Sequence, residues 1–234
     1  MPSSSHVDLL HRISGIVSSL RSLEEMLGEV VGMTAQVTGC DACLVYLLEK
    51  EAGEVVLMAS QVPHAAELGN LRLKIGEGVT GWVVEHKSVV ALPASAAADK
   101  RFKRFTGLVE DTYEAFLSVP LISRGDVVGV INVHHREPHQ HSSEEISLLT
   151  FIGEQMGVAV ERARLARENE RLQGELETRK VVERAKGILQ RSHNLSEEDA
   201  YLRLRGESRR LRRPMKELAE AIILAEELNR QRQP

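Results

Sequence analysis

Three glycines near residue 80 have the spacing of a phosphate-binding loop. Gly76, Gly78 and Gly81 form a G-x-G-x-x-G pattern between a strand-like run and a helix-like run. In a dinucleotide-binding fold such glycines allow a tight turn and direct a helix N-terminus at the pyrophosphate. That fold also needs a longer helix and an acidic residue at the end of the next strand, which here ends in Leu92 and Pro93. The pattern therefore favours a structural turn.

Cysteines and histidines offer a second chemistry, metal binding or redox sensing. Cys40 and Cys43 have the spacing of a redox motif, and the segment HHREPHQH, which begins at the end of the last predicted strand, supplies four histidines: His134, His135, His139 and His141. A metal site needs these side chains to converge, which spacing does not ensure. Cys43 is expected in the core, and the histidines are expected to be solvated. No catalytic residue and no metal site are predicted, the identity of any cofactor stays unknown, and a sensing role for this cluster stays open.

The composition fits a cytoplasmic protein with two folded domains. The chain has 234 residues, of which 42% are hydrophobic and 27% are charged, which is enough for two small cores. No apolar run approaches the roughly 20 residues of a membrane-spanning helix, and the N-terminus lacks a signal-peptide core. The two cysteines are too few to cross-link a secreted fold. We expect no membrane partner.

The charge is distributed unevenly along the chain. Residues 179–216 hold 12 basic and 5 acidic side chains, whereas the remainder holds 18 basic and 29 acidic ones. The net charge of −4 therefore hides one compact cationic segment. Such a segment can attract a polyanion, which the rest of the chain would repel.

The first half of the sequence predicts helices followed by antiparallel strands. Apolar side chains at helical spacing predict two helices within residues 8–37. Runs of apolar and β-branched residues around turn segments predict two hairpins and one further strand, at residues 42–49 with 54–60, residues 115–123 with 127–135, and residues 71–75. The second hairpin would turn at Arg124-Gly125-Asp126. Tight turns of this kind join antiparallel strands, so we expect an antiparallel sheet.

This order of segments resembles the GAF family. The resemblance rests on GEGVTGWVVEHKSVVALP, on FLSVPLISRGDVVGVINV and on a closing helix, and it covers about residues 20–163. It implies an antiparallel sheet with flanking helices, often around a pocket for a small-molecule ligand, whose identity it does not give. Residues 1–160 are predicted to be this sensor domain.

A very long helix is predicted next, because residues 142–192 contain no proline. Its apolar side chains recur at alternating spacings of four and three, which gives a short heptad seam with charged flanks. The seam residues are Val158, Leu165, Asn169, Leu172 and Leu176. We expect a parallel coiled-coil homodimer whose register Asn169 fixes, with residues 161–178 as the linker. A solitary charged helix is the alternative.

The remaining residues, 179–234, are predicted to form a small all-α domain of three helices. The fold class is thus α+β: an antiparallel sheet with flanking helices, joined by a long coiled-coil helix to three helices. A capping sequence at Ser196 and Pro214 at a first helical position mark the later helices. Basic side chains flank the apolar faces, so the domain would carry a continuous cationic rim.

The segment VVERAKGILQRSHNLSEEDAYLRLRGESRRLRRPMKELAEAII resembles the ANTAR family throughout. That family binds RNA, typically paired small stem-loops in leader transcripts, and prevents a transcription terminator from forming. The motif residues that carry over, together with two basic residues of the rim, give the predicted RNA-binding set: Lys180, Arg184, Lys186, Gly187, Arg191, Tyr201, Arg205, Ser208, Arg209 and Arg213. Gly206 and Glu207 depart from the expected pattern.

The leading functional hypothesis is a signal-responsive, dimeric RNA-binding regulator that is not an enzyme. It would bind stem-loops in nascent leader transcripts and prevent termination. Two alternatives remain: a DNA-binding transcription regulator, since compact helical units also read DNA, and a small-molecule reductase that uses Cys40 and Cys43 in the sheet domain. Tyr201 could stack on an unpaired base or fill the core.

Overall fold

The computed structural model describes residues 11–16, 21–62, 66–104 and 112–230. The chain divides into two compact units, Met1–Arg164 and Leu165–Pro234. Residues 11–16 are helical, and the remainder of the first predicted helix lies outside the described residues. The second predicted helix is confirmed as α1 (Leu23–Thr38), which begins with a capping box at Ser22.

A six-stranded sheet forms the first unit. Its strands are β1 (Ala42–Glu49), β2 (Glu54–Ser60), β3 (Arg72–Lys74), β4 (Val90–Leu92), β5 (Ala115–Ser123) and β6 (Asp126–His135). Every neighbouring pair is antiparallel, in the order β3-β2-β1-β6-β5-β4. The predicted antiparallel sheet is therefore confirmed.

Both faces of the sheet are buried, which explains why its central strands are apolar almost without interruption. Cys43 and Val45 of β1 face one core, together with α1 and the start of the long helix. Leu44 and Tyr46 face the other core, which includes α2 (Gly78–His86). The flanking helices thus occupy opposite faces.

Both predicted hairpins are confirmed. β1 pairs with β2 from Leu44 to Glu49, and β5 pairs with β6 down to Ser123 and Asp126. Arg124 and Gly125 between them have φ values of 52° and 83°. Two consecutive positive φ values define the mirror-image turn whose twist suits a hairpin, and Gly125 adopts its value without steric cost.

The glycine pattern shapes a turn, as predicted. Gly76 and Gly78 have φ values of +82° and +68°, and a Cβ on Gly81 would lie 2.4 Å from the carbonyl oxygen of Lys74. The carboxylate of Glu77 lies within this loop, where it accepts a hydrogen bond from the Lys74 amide at 3.0 Å and one from Lys103. The negative charge of Glu77 at this position would repel a bound pyrophosphate.

The long helix is confirmed as α3 (Ser143–His193), with 51 residues. Its first part packs closely on β5: a Cβ on Gly153 would lie 2.6 Å from the Pro120 carbonyl oxygen, and one on Gly157 would lie 2.1 Å from that of Ile122. After α3 come α4 (Glu197–Leu211) and α5 (Met215–Arg230). The predicted α+β class is therefore confirmed.

Both cysteines are buried. Cys43 lies in the core, as predicted, and Cys40 is nearly covered. Burial raises the pKa of both thiols, and for Cys43 the neighbouring Cys40 adds to the effect. A thiol whose pKa is raised carries little thiolate, the form that reacts.

Candidate nucleic-acid interface

The second unit has its own small core between the last turns of α3 and the two helices that follow. Eight buried side chains form it: Val182, Ala185, Ile188, Leu189, Ala200, Leu204, Ala219 and Ile223. Ser196 caps α4 by accepting a hydrogen bond from the Asp199 amide at 3.1 Å. This core fixes which faces of the three helices remain in solvent.

One exposed face of α4 carries three residues of the predicted RNA-binding set. Tyr201, Arg205 and Arg209 follow one another at intervals of four, so they lie on one side of the helix, and all three are exposed. Tyr201 is 38% exposed. Its side chain is not part of the hydrophobic core of this unit, which was the other location predicted for it. We call these three residues the α4 stripe.

A second exposed row lies on the last turns of α3. Lys180, Arg184, Gly187 and Arg191 are spaced by four, three and four, which again places them on one side of a helix. A Cβ on Gly187 would lie 3.4 Å from Nη1 of Arg191, so the guanidinium lies beside the bare backbone. Arg184 donates to Glu227 of α5 at 2.6 Å, so this arginine is already paired.

Lys186 belongs to the predicted RNA-binding set, but its side chain is not accessible to a ligand in solvent. Its ammonium is buried and donates to both oxygens of Glu183 at 3.0 Å and to Glu197 at 2.9 Å. The hydrogen bonds with Glu197 and Glu183 raise the pKa of this lysine. Lys186 therefore links α3 to the start of α4 and holds two carboxylates away from the exposed cations.

Ser208 and Arg213 stabilise the turn between α4 and α5. The Ser208 hydroxyl donates to the Arg213 carbonyl at 2.6 Å, and the Arg213 amide donates to the Ser208 carbonyl at 3.1 Å. The Arg213 guanidinium lies 3.8 Å from Glu217 and remains largely exposed. The motif serine thus has a structural role that its sequence position did not indicate.

Glu207 does not leave an unpaired negative charge beside the arginines. Arg210 donates to it at 2.6 Å and 2.9 Å, and this hydrogen bonding lowers the pKa of the carboxyl group. In contrast, no ion pair involves Lys180, Arg191, Arg205 or Arg209 anywhere in the described ranges. Within the predicted RNA-binding set, these four cations are therefore free of ion pairs in the described residues.

Gly206 has no steric reason to be glycine. It lies inside α4, its φ is not positive, and a Cβ would meet no atom within 4 Å. We expect Gly206→Ala to stabilise the second unit by about 1 kcal/mol, because glycine loses more backbone entropy in a helix. Thermal unfolding followed by circular dichroism measures the change, and a lower melting temperature contradicts it.

The predicted seam residues are exposed in the single chain. Val158, Leu165, Leu172 and Leu176 are 50% to 54% exposed, and Asn169 is exposed as well. Ion pairs between Arg171 and the glutamates three residues before and four residues after it flank this row. About half of the surface of each of the four apolar residues in this row is thus exposed in a single chain.

Comparison with known proteins identifies the two units. The GAF domain model matches residues 22–160 and the ANTAR domain model matches residues 170–223. The chain belongs to the GAF-domain family and carries an ANTAR domain at its C-terminal end. An ANTAR domain marks an RNA-binding antitermination regulator and a GAF domain a signal-sensing module, so the chain has the architecture of a regulatory protein.

Two individual proteins have sequences similar to most of this chain. The chain is 29% identical to a phosphoenolpyruvate-dependent phosphotransferase system protein of Escherichia coli K12, over 67% of this chain and 21% of the relative. It is 23% identical to a Nif-specific regulatory protein of Herbaspirillum seropedicae, over 85% of this chain and 40% of the relative. The chain thus spans less than half the length of either relative.

Solved structures show the same fold. The GAF domain of an Acinetobacter phosphoenolpyruvate-protein phosphotransferase is 28% identical, with a TM-score of 0.63, and the match covers 71% of this chain and 99% of that one. A free methionine-R-sulfoxide reductase from Neisseria meningitidis is 20% identical, with a TM-score of 0.57 over 68% and 89% of the two chains. At 20% identity, the second match is evidence of a shared fold only.

Among the described residues, no helix combines the length and apolar composition that a membrane crossing requires.

Proposed function

We propose that this protein binds stem-loops in nascent leader transcripts, prevents transcription termination and responds to a signal through its GAF domain. The α4 stripe is the observation that carries the proposal. Its two arginines are exposed and unpaired within the described residues, and an exposed tyrosine lies on the same side of the helix. They belong to a segment with a strong excess of basic residues.

The chemistry of the α4 stripe suits RNA with unpaired bases. Arginine neutralises phosphates and can also stack its planar guanidinium on a base. A tyrosine ring stacks on a base of any sequence. Sequence-specific RNA recognition mostly uses bases splayed out of loops, and the stripe offers contacts for both the backbone and such bases.

We propose that the protein works as a homodimer through the seam on α3. Its four apolar residues are half exposed in one chain, and burying a leucine contributes about 1.5–3 kcal/mol. A second copy presents the same row in parallel register, with Asn169 opposite its own copy. Two copies also present two α4 stripes, which matches a pair of stem-loops.

The signal in this proposal is a small molecule bound by the GAF domain. Between the sheet and α2 lies a chain of buried polar side chains: Ser118 donates to Asn132 at 2.7 Å, and Asn132 donates to Thr80 at 2.8 Å. Buried polar groups of this kind can orient a ligand in an apolar pocket. Residues 105–111 lie outside the described part of the chain.

The test compares a double variant in the α4 stripe with a matched control. We expect Arg205→Ala with Arg209→Ala to weaken binding of stem-loops selected from bound cellular transcripts by roughly 30-fold. The slope of log affinity against log salt should flatten by roughly 2, because two fewer phosphates are neutralised. Fluorescence anisotropy across a salt series measures both quantities.

The control is Lys50→Ala with Lys100→Ala, which removes two exposed charges from the sheet domain. We expect its RNA affinity to equal that of the wild type. A folded double variant of the α4 stripe that binds RNA normally would contradict the proposal. Tighter binding of duplex DNA than of the stem-loops at matched salt would instead support the DNA-binding alternative.

The reductase alternative receives no support from the thiols. Cys43 lies entirely in the core, and burial raises the pKa values of Cys40 and Cys43. A redox-active thiol needs an exposed environment that lowers its pKa. Mass-spectrometric mapping of thiol oxidation during turnover assays distinguishes an enzyme from a regulator.

A further inference from the structure

Four potential metal ligands converge where the sheet meets the long helix. His135 ends β6, His139 and His141 lie in the loop that follows, and Glu145 lies in the first turn of α3. One ligand atom from each side chain lies within 4.8 Å of the other three. We call these four residues the His3Glu cluster.

The structure differs here from the expectation of solvated histidines. His135 and His141 are buried, with only 7% and 5% of their surface exposed, and His139 is half-buried. The His135 and His139 rings stack with their centroids 3.9 Å apart. Burial of several imidazoles around one carboxylate is costly unless something satisfies their nitrogens.

Two ring nitrogens in the His3Glu cluster are not satisfied by the protein. In the described part of the chain, Nε2 of His135 and Nε2 of His141 are fully buried and have no hydrogen-bond partner. Nδ1 of His141 lies 3.2 Å from a carboxylate oxygen of Glu145, so the tautomer with its proton on Nδ1 can donate to it. In that tautomer Nε2 of His141 holds a buried lone pair, which is the form of imidazole that binds a metal.

The charge of Glu145 also lacks a permanent cationic partner. Its ion-pair neighbours in the described ranges are three imidazoles: His139 at 3.0 Å, His141 at 3.2 Å and His135 at 3.9 Å. A carboxylate ringed by three imidazoles, two of which have a buried ring nitrogen without a partner, is an arrangement that a divalent cation would complete.

We propose that His135, His139, His141 and Glu145 bind one divalent transition-metal ion, with Zn²⁺ as the expected occupant. Three nitrogens and one carboxylate oxygen are ligands that Zn²⁺ accepts in a tetrahedral site. Ligand atoms around such an ion lie roughly 3.4 Å apart, so inward shifts of about 1 Å close the His3Glu cluster. An open cleft of about 470 Å³ lined by His135 and His139 gives the ion a path from solvent.

The ion would join two elements of the GAF domain. His135 is the last residue of β6 and Glu145 is the third residue of α3, so one ion would fix the start of the long helix to the sheet. Metal binding would then stabilise the folded state in proportion to its affinity. This proposal is independent of RNA binding and can fail or succeed separately from it.

The test titrates Zn²⁺ into the full-length protein after chelator treatment and dialysis. We expect one Zn²⁺ per chain, measured by competition with a chromophoric chelator and by elemental analysis, and a higher melting temperature when Zn²⁺ is present. Co²⁺ in its place should give the visible absorption of a tetrahedral site. Absence of saturable binding at one site per chain would overturn the proposal.

Matched histidine variants locate the site. His139→Gln replaces the half-buried ligand in the loop, and we expect it to weaken Zn²⁺ binding roughly 100-fold and to remove the Zn²⁺-dependent rise in melting temperature. His86→Gln alters an exposed histidine that stacks on Trp82, and we expect unchanged Zn²⁺ affinity. Glu145→Gln keeps the shape of the side chain and should weaken binding as His139→Gln does. Equal affinities in all three variants, each folded by circular dichroism, would place the ion elsewhere and refute the assignment.

Discussion

Gly157→Ala is expected to destabilise the GAF domain by about 3 kcal/mol. The added Cβ would lie 2.1 Å from the carbonyl oxygen and 2.4 Å from the carbonyl carbon of Ile122, both of them backbone atoms of β5. A strand in the middle of a packed domain cannot retreat by the ångström or more that this contact requires. Chemical denaturation followed by tryptophan fluorescence and circular dichroism measures the loss.

Gly28→Ala is the matched control. Gly28 also lies within a helix of the same unit, but it is exposed and a Cβ there would meet nothing within 4 Å. Because alanine favours a helix over glycine by up to about 1 kcal/mol, this variant should be as stable as the wild type or more so. If both variants shift stability equally, the close approach of α3 to β5 is not what requires glycine.

Inserting two residues after Glu168 is expected to weaken the dimer roughly 100-fold. The insertion rotates the following part of α3 by about 200°, which carries Leu172 and Leu176 away from the partner helix. Losing two leucines from the seam removes about 3 kcal/mol or more of association free energy. Sedimentation equilibrium measures the dimer affinity, and binding of paired stem-loops should weaken in parallel.

A seven-residue insertion at the same point is the control, because it adds one full heptad and keeps the register. We expect it to retain both the dimer and the paired binding of stem-loops. Equal dimer affinities for the two insertions would show that association does not use the seam. In that case the seam would not be what brings the α4 stripes of two copies together.

The fold was largely predictable because its signals are local. Continuous apolar and β-branched runs defined β1 and β2 to the residue, and Gly125 indicated the turn between β5 and β6 because glycine adopts positive φ without steric cost. The absence of proline indicated the length of α3. Each of these features depends on neighbours within a few positions, which a sequence displays directly.

The site was less predictable because its features depend on distant partners. A basic residue in a motif looks the same whether it is exposed, as Arg205 is, or buried between carboxylates, as Lys186 is. Nothing in the sequence indicated that Glu227 pairs with Arg184, since 43 positions separate them. Tyr201 was predicted as either a core or a stacking residue, and only the packing of the neighbouring helices exposes it.

The His3Glu cluster shows how a weak signal could have been strengthened. Four histidines lie close together in the sequence, but the convergence of His135, His139 and His141 was not expected, because the loop after β6 has no geometry that spacing alone fixes. Glu145 was overlooked although it follows His141 by four positions, at the beginning of a predicted helix. A carboxylate at that spacing beside a group of histidines would have justified a firmer expectation of a metal site.

The single helix α3 belongs to two hydrophobic cores. Its residues Leu149 and Ile152 are part of the GAF core, and its residues Val182 and Ile188 are part of the ANTAR core. A gene fusion or an expression fragment that cuts α3 within either stretch would leave one unit without a structural helix. Exchange of one sensor for another would preserve both cores only if the junction lies in the exposed middle of α3, and under the dimer that we propose we expect it to tolerate length changes of whole heptads.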